Sequence, residues 1–193
     1  SASTSYTYRV RATDAVGNLS GYSSNASATT QTAPAGGTAL GNLAASMAPG
    51  TWAQLSTNNI GVLNQNGTDG NIITYGMDAA WDPVSRKFFY VGNDHIDSIL
   101  SEADRFVVYD EASNTWINMP PPPWSSAGNT DHGNDHHGIN PASGTFYRRE
   151  AKDGLRLGKY NISNNTWTYS SPNSLQNFPG CCAGVDFFPE RGG

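Results

Sequence analysis

Charge is scarce in this chain: 14% of its 193 residues are Asp, Glu, Lys or Arg, and Lys and Arg form no cluster. With a net charge of −5 and no basic patch, nucleic acid and anionic membrane surfaces are poor partners. No apolar run approaches the roughly 20 residues of a membrane-spanning helix, so no membrane span is expected in this sequence. Sustained 3.6-residue apolar periodicity is also missing, which predicts almost no helix. HExxH, GxSxG, a phosphate loop and an assembled triad are absent, so no catalytic set is visible. Only two cysteines occur, Cys181 and Cys182, and they are adjacent. Neighbouring Cα atoms stand about 3.8 Å apart, closer than the roughly 4.4–6.8 Å that disulfides usually span. Three readings stay open: partners for cysteines elsewhere, two buried thiols, or a strained vicinal disulfide of the kind that marks ligand sites.

What the chain does have is aromatics and turn formers. Five Trp, nine Tyr and seven Phe can build a core, and abundant Gly, Ser, Asn and Thr suit an all-β protein rich in turns. One eight-residue phrase occurs twice, as Tyr109-Asp110-Glu111-Ala112-Ser113-Asn114-Thr115-Trp116 and as Tyr160-Asn161-Ile162-Ser163-Asn164-Asn165-Thr166-Trp167, 51 positions on (167 − 116). Asp110 or Asn161 can start a tight turn by binding backbone two residues on, and the Trp opens the return strand. A second phrase, Asp82-Pro83-Val84-Ser85 before Phe88-Phe89-Tyr90, matches Asn140-Pro141-Ala142-Ser143 before Phe146-Tyr147, 58 positions on (140 − 82). Strands that persist while one loop changes length are the mark of repeated units. Each unit is expected to hold four strands, near residues 74–81, 87–92, 105–110 and 115–119 in the first copy. Trp52, Trp116 and Trp167 should occupy equivalent places on outer strands, packed against neighbouring strands.

Four strands per period of about 50 residues, carried by the Tyr-Asp…Asn-Thr-Trp hairpin, resemble the kelch type of β-propeller blade. Gly50-Thr51-Trp52-Ala53-Gln54-Leu55 resembles the Thr-Trp strands and is expected to be the outer strand (51–56) of a ring-closing blade. Blades then follow at 71–120 and 130–171. Gly184-Val185-Asp186-Phe187-Phe188-Pro189 resembles the opening of a further blade at 180–193. Residues 1–30 differ: Tyr6, Tyr8, Val10 and Ala12 alternate with polar residues as in a half-buried strand. Asp14-Ala15-Val16-Gly17-Asn18 reads as a turn and Asn25–Thr30 as a closing edge strand. Thr4–Ala12 resembles the penultimate strand of a fibronectin type III module, which implies a tyrosine corner at Tyr6. The expected fold is therefore all-β: the tail of a truncated fibronectin type III sandwich, a linker over 31–50, and a partial propeller of four-stranded blades over 51–193. The chain is expected to be a fragment, beginning and ending inside domains, with any export signal outside it.

All four histidines sit in two loops. Asp94 and His95 follow the second strand of the first blade, and Asp131, His132, Asp135, His136 and His137 precede the first strand of the next. In an up-and-down blade these loops leave on one face, so Asp94, His95, Asp131, His132, Asp135 and His136 form a candidate rim for a ligand or a metal. Asp and His at such separations suit a transition metal, and Asp with Asn oxygens suits Ca. The competing reading is hydrogen bonds that brace the loops. His136 and His137 should point to opposite faces if they begin a strand. Pro120–Pro123 with Trp124 reads as a stiff connector between blades, and Arg148, Arg149 and Glu150 as a solvated group. The resemblance implies an exported bacterial protein, secreted or at the cell surface, whose propeller loops bind a glycan or a protein. The alternative it implies is a propeller enzyme such as a galactose oxidase-like copper oxidase, whose ligand set does not map onto these residues.

Overall fold

The computed structural model describes residues 4–29, 37–64, 72, 76, 78–92, 105–125, 133, 136–150, 156–170 and 184–191. The protein is all-β, with antiparallel sheets and one eight-residue helix among the described residues. It divides into two compact units, Ser1–Ala53 and Gln54–Gly193.

In the first unit, β1 (Ser5–Tyr8) pairs antiparallel with β2 (Ala26–Thr29). Beyond Tyr8 the pairing is shared with side chains: Val10 N–H donates to Ser23 Oγ and Ala12 N–H to Ser20 Oγ, while the Val10 and Ala12 carbonyls accept from the Ser23 and Ser20 amides. Serine hydroxyls there replace the ladder carbonyls as acceptors on one side of each pair, so the regular strand stops. Asp14 forms the expected turn, its Oδ1 accepting from the Val16 and Asn18 amides and its Oδ2 from Asn18 Nδ2. Those Asn18 bonds hold its carboxyl below the ordinary carboxylate value. The half-buried reading of this strand is corrected: Tyr6, Tyr8 and Val10 are exposed, because a two-stranded ladder by itself offers no second layer. The ring of Tyr6 lies against Tyr8, with centroids 6.3 Å apart.

The expected linker contains α1 (Ala39–Ser46), capped by Thr38, whose Oγ1 accepts from Gly41 N–H. Leu40, Leu43, Ala44 and Met47 do carry the i, i+3, i+4, i+7 spacing, but over so few residues that composition outweighs it. Trp52 is a second correction: it is 98% exposed and lies outside any strand. The strand expected over 51–56 does not form. The chain instead reaches the outer edge of the first blade-like sheet a few residues later, as described next.

The second unit holds two four-stranded sheets of one topology. The first contains β3 (Ala80–Asp82), β4 (Lys87–Gly92), β5 (Arg105–Asp110) and β6 (Thr115–Met119); the second contains β7 (His137–Asn140), β8 (Thr145–Glu150), β9 (Arg156–Asn161) and β10 (Thr166–Tyr169). Each is an antiparallel meander with strands in chain order. Four hairpin turns, at 83–86, 111–114, 141–144 and 162–165, repeat one design. Each opens on Asp82, Asp110, Asn140 or Asn161, whose carboxylate or amide oxygen accepts from backbone two residues on. Each closes on a left-handed residue, Arg86, Asn114, Gly144 or Asn165, with φ between 51° and 61°. Asn tolerates that region better than most side chains, which is why the Asn-Thr-Trp phrase recurs. In both sheets the Tyr hydroxyl seals the turn: Tyr109 donates to Asn114 Oδ1 at 2.8 Å and Tyr160 to Asn165 Oδ1 at 2.7 Å. Trp116 stands opposite Tyr109 and Trp167 opposite Tyr160, so the two tryptophans are equivalent.

Alternation along the strands gives each sheet two faces. One face of the first sheet presents Phe89, Val91, Phe106 and Val108, and these pack against Phe146 and Tyr160 of the second sheet. Phe106 is central, with ring centroids 4.8 Å from Tyr160, 5.3 Å from Trp167 and 6.0 Å from Phe146. The opposite face of the first sheet carries Tyr90 and Val107 and is covered by Val62, Leu63 and Ile72. The preceding segment runs parallel to β6: Asn58 bridges Thr115, and Trp116 Nε1 donates to Thr57 Oγ1. This strap satisfies backbone groups on an edge that would otherwise be open. Trp124, just past the proline run, packs edge-on against Trp167 and Tyr169, which anchors the connector to the second sheet.

Candidate functional site at the inner strands

The first strands of the two sheets, β3 and β7, lie side by side. Among the described residues each is the end strand of its sheet. A third segment comes beside them: a Cβ added to Gly138 would stand 3.3 Å from both Asp186 Cα and the Val185 carbonyl. Asp78, Ala80, Trp81, Gly138, Ile139 and Asp186 therefore border one open cavity of about 480 Å³. That size lies within the range of roughly 300–1,000 Å³ usual for small-ligand sites. Two carboxylates, Asp78 and Asp186, supply it with hydrogen-bond acceptors.

His137 sits at the wall of this cavity, fully buried. Its Nδ1 is 2.9 Å from Asp78 Oδ1, and its Nε2 is 3.1 Å from Val91 N and 2.8 Å from Val91 O. Nδ1 faces a carboxylate oxygen and so carries a proton, while Nε2 stands where it can accept the Val91 N–H or, protonated, donate to the Val91 carbonyl. Burial, followed by the nearby Arg148 charge, pushes the imidazole below its ordinary pKa, against the opposing pull of Asp78. Phe146 stacks on the ring from one side at 5.7 Å, and Tyr90 tilts against it at 5.0 Å. Tyr90 in turn fills a notch formed by Gly76, Gly92 and Gly133, where any Cβ would overlap its ring. This is the physical reason for glycine at the end of β4.

His136 turns the other way, as alternation predicts. It is fully buried, and its Nε2 accepts from Arg149 Nη1 at 3.1 Å. His136 thus engages Arg149 through Nε2, whereas both ring nitrogens of His137 have partners. No group of three or more His, Cys, Asp or Glu that could hold a metal occurs among the described residues. Arg148 and Arg149 are not a solvated group: both are buried, and that reading is corrected. The signal was present in the alternation, since Arg148 shares a face with Phe146 and stands opposite His137. Asp78 and the His137 contact carried no local sequence signal, because the partners are 59 residues apart.

Of the expected rim, His136 is the residue the structure describes. Asp94, His95, Asp131, His132 and Asp135 lie outside the described residues, as do Cys181 and Cys182. Gly92, where the first of the two loops leaves β4, lies against the backbone of Gly133 in the second. Comparison with family models, with curated proteins and with solved structures finds no match.

Proposed function

We propose that the chain is part of an exported bacterial β-propeller of kelch-like blades, preceded by the end of a fibronectin type III module. In this reading the propeller is a binding or adhesion module that recognises carbohydrate or protein. One observation carries it: two sheets with the same meander, turns and Tyr–Asn bonds stack face to face, with their first strands around a common cavity. Repetition of such units about an axis gives a ring whose loops gather on one rim and whose inner strands border a central well. Asp, Asn and aromatic side chains near such a well suit sugar hydroxyls and sugar faces.

A glycan array probed with the whole protein tests the reading, alongside the His95→Ala and Asp135→Ala variants. Retention of a defined glycan set, weakened at least tenfold by either substitution with strand content intact, is the expected result. Binding indifferent to both substitutions would remove the rim from the account. No retention of any glycan would leave protein recognition as its surviving form.

A further inference from the structure

The last strands of the two sheets, β6 and β10, carry the same hairpin phrase, yet their outer edges differ. Along β6, Ser56–Asn59 runs parallel as a strap. Asn58 N–H donates to the Asn114 carbonyl, and Trp116 N–H to the Asn58 carbonyl. Asn114 Nδ2 donates to the Ser56 carbonyl, Asn59 Nδ2 to the Trp116 carbonyl, and Trp116 Nε1 to Thr57 Oγ1. The same groups recur 51 positions on, at Asn165 and Trp167 (165 − 114). Ser170 N–H turns inward to the Leu157 carbonyl, so by alternation the amides of Thr168 and Thr166 turn inward too. The backbone groups of Trp167 and Tyr169 therefore point away from β9. Among the described residues nothing bonds Asn165 Nδ2 or the Trp167 N–H and carbonyl, and Trp167 Nε1 is buried without an acceptor. Asn165 and Thr166 are exposed, whereas Asn114 and Thr115 are half-buried. Of two equivalent edges, one is strapped and the other is open.

We propose that the outer edge of β10 docks an extended acidic segment of a partner protein, added as a parallel strand in the way Ser56–Asn59 is added to β6. Strand addition satisfies the main-chain groups of an open edge and reads every second side chain of the incoming segment. The chain's own strap is held on β6, so the segment for β10 is another protein's. Nothing in Thr166-Trp167-Thr168-Tyr169 blunts the edge: it has no Pro and no charge, and its residues are β-branched or aromatic. Acidity follows from the neighbouring face. Thr145, Lys159, Asn161, Asn164, Thr166 and Thr168 border an open cavity of about 320 Å³ beside this edge, and Lys159 is its one charged side chain. On β6, Thr57 meets the indole on one face, so Ser56 and Asn58 alternate to the other. In the second sheet that other face carries Lys159 and Thr168. A carboxylate at the place of Asn58 thus falls on the side of the Lys159 ammonium. This docking edge adds a second surface to the binding role proposed above and does not depend on the rim.

An NMR titration of the whole isotope-labelled chain with two synthetic peptides tests the proposal. One peptide copies residues 54–60, and the other carries Asn58→Asp. Before peptide is added, the Trp167 amide should exchange about tenfold or more faster than that of Trp116, after correction for intrinsic rates. Both peptides should shift the Trp167 and Tyr169 amides and leave Trp116 and Ile117, whose edge is already strapped, unmoved. The acidic peptide should bind about threefold more tightly, as for an exposed ion pair. In Lys159→Gln, an exposed position, that preference should vanish while the neutral peptide still binds. His95→Ala and Asp135→Ala, which probe the rim, should leave peptide binding unchanged, so the two readings can fail separately. Protection of Trp167 equal to that of Trp116 in the free protein overturns the proposal, because the edge is then already taken. So do shifts that miss β10 at millimolar peptide, equal affinity for the two peptides, or a preference that survives Lys159→Gln. Loss of peptide binding in either rim variant overturns it as well.

Discussion

The two four-stranded sheets share their turns and differ in their faces. The face that the first sheet turns to the second presents Phe89, Val91, Phe106, Val108, Ile117 and Met119. At the corresponding places, 58 residues on for β8 and 51 for β9 and β10 (140 − 82; 167 − 116), the second sheet presents Tyr147, Arg149, Leu157, Lys159, Thr168 and Ser170. Lys159 and Thr168 are exposed. Turn chemistry is set within a few residues and repeats unchanged, whereas a face answers to whatever lies across from it. The turns also show two solutions to one constraint. Where the second sheet has Gly144 and Ile162, the first has Arg86 and a buried Glu111, joined by two oxygens at 2.6 Å. The backbone tie is kept in both, from Glu111 N–H to Arg86 O and from Ile162 N–H to Gly144 O.

The largest expected effect separates the faces. Phe106→Ala should cost about 3–5 kcal/mol, as for a large buried aromatic. Leu157→Ala, its half-buried counterpart, should cost about 1 kcal/mol. Urea unfolding of the two variants measures this, and equal losses would mean the faces are not packed as described. Next comes the ion pair. Glu111→Gln keeps the shape but removes the charge that holds Arg86, and should lower stability by about 1.5–3 kcal/mol. A midpoint indistinguishable from the parent would show that the pair contributes nothing net.

The third comparison sharpens the likeness. Tyr109→Phe and Tyr160→Phe each delete one hydroxyl bond to an Asn, and each should cost about 0.5–1.5 kcal/mol. Values differing by more than about 1 kcal/mol would break the equivalence of the hairpins. The smallest effect concerns the turns alone. Gly144→Ala forces a Cβ into the left-handed region in open space, and should cost about 1 kcal/mol. Thermal unfolding can register it, and no change would mean the turn relaxes to another conformation.

How much of this was legible in the sequence follows from the range of the interactions. The hairpins were, because Asp110 and Asn161 act on backbone two residues away and Asn114 and Asn165 on their own torsions. Strands β4 to β6 appear where the phrases put them. Trp52 misled because Thr51-Trp52 copies the Thr-Trp phrase without the strand that pairs with it. The edge of β6 is instead met by Ser56–Asn59 through bonds that no local pattern announces. Arg148 and Arg149 were misjudged because charge outweighed alternation in the reading. The Asp78–His137–Val91 link joins residues 46 to 59 positions apart, so only the stacked sheets reveal it. The rim residues from Asp94 to Asp135 remain a sequence-level expectation.

The central claim is that the two sheets are copies of one unit, stacked with opposite faces in contact and their first strands side by side. A NOESY spectrum of the aromatic and methyl protons tests this most directly. The account predicts cross-peaks from the Phe106 ring to those of Phe146, Tyr160 and Trp167, and from Gly138 Hα to the Val185 methyls. Strong contacts within each sheet, with those between Phe106 and the second sheet missing, would contradict it.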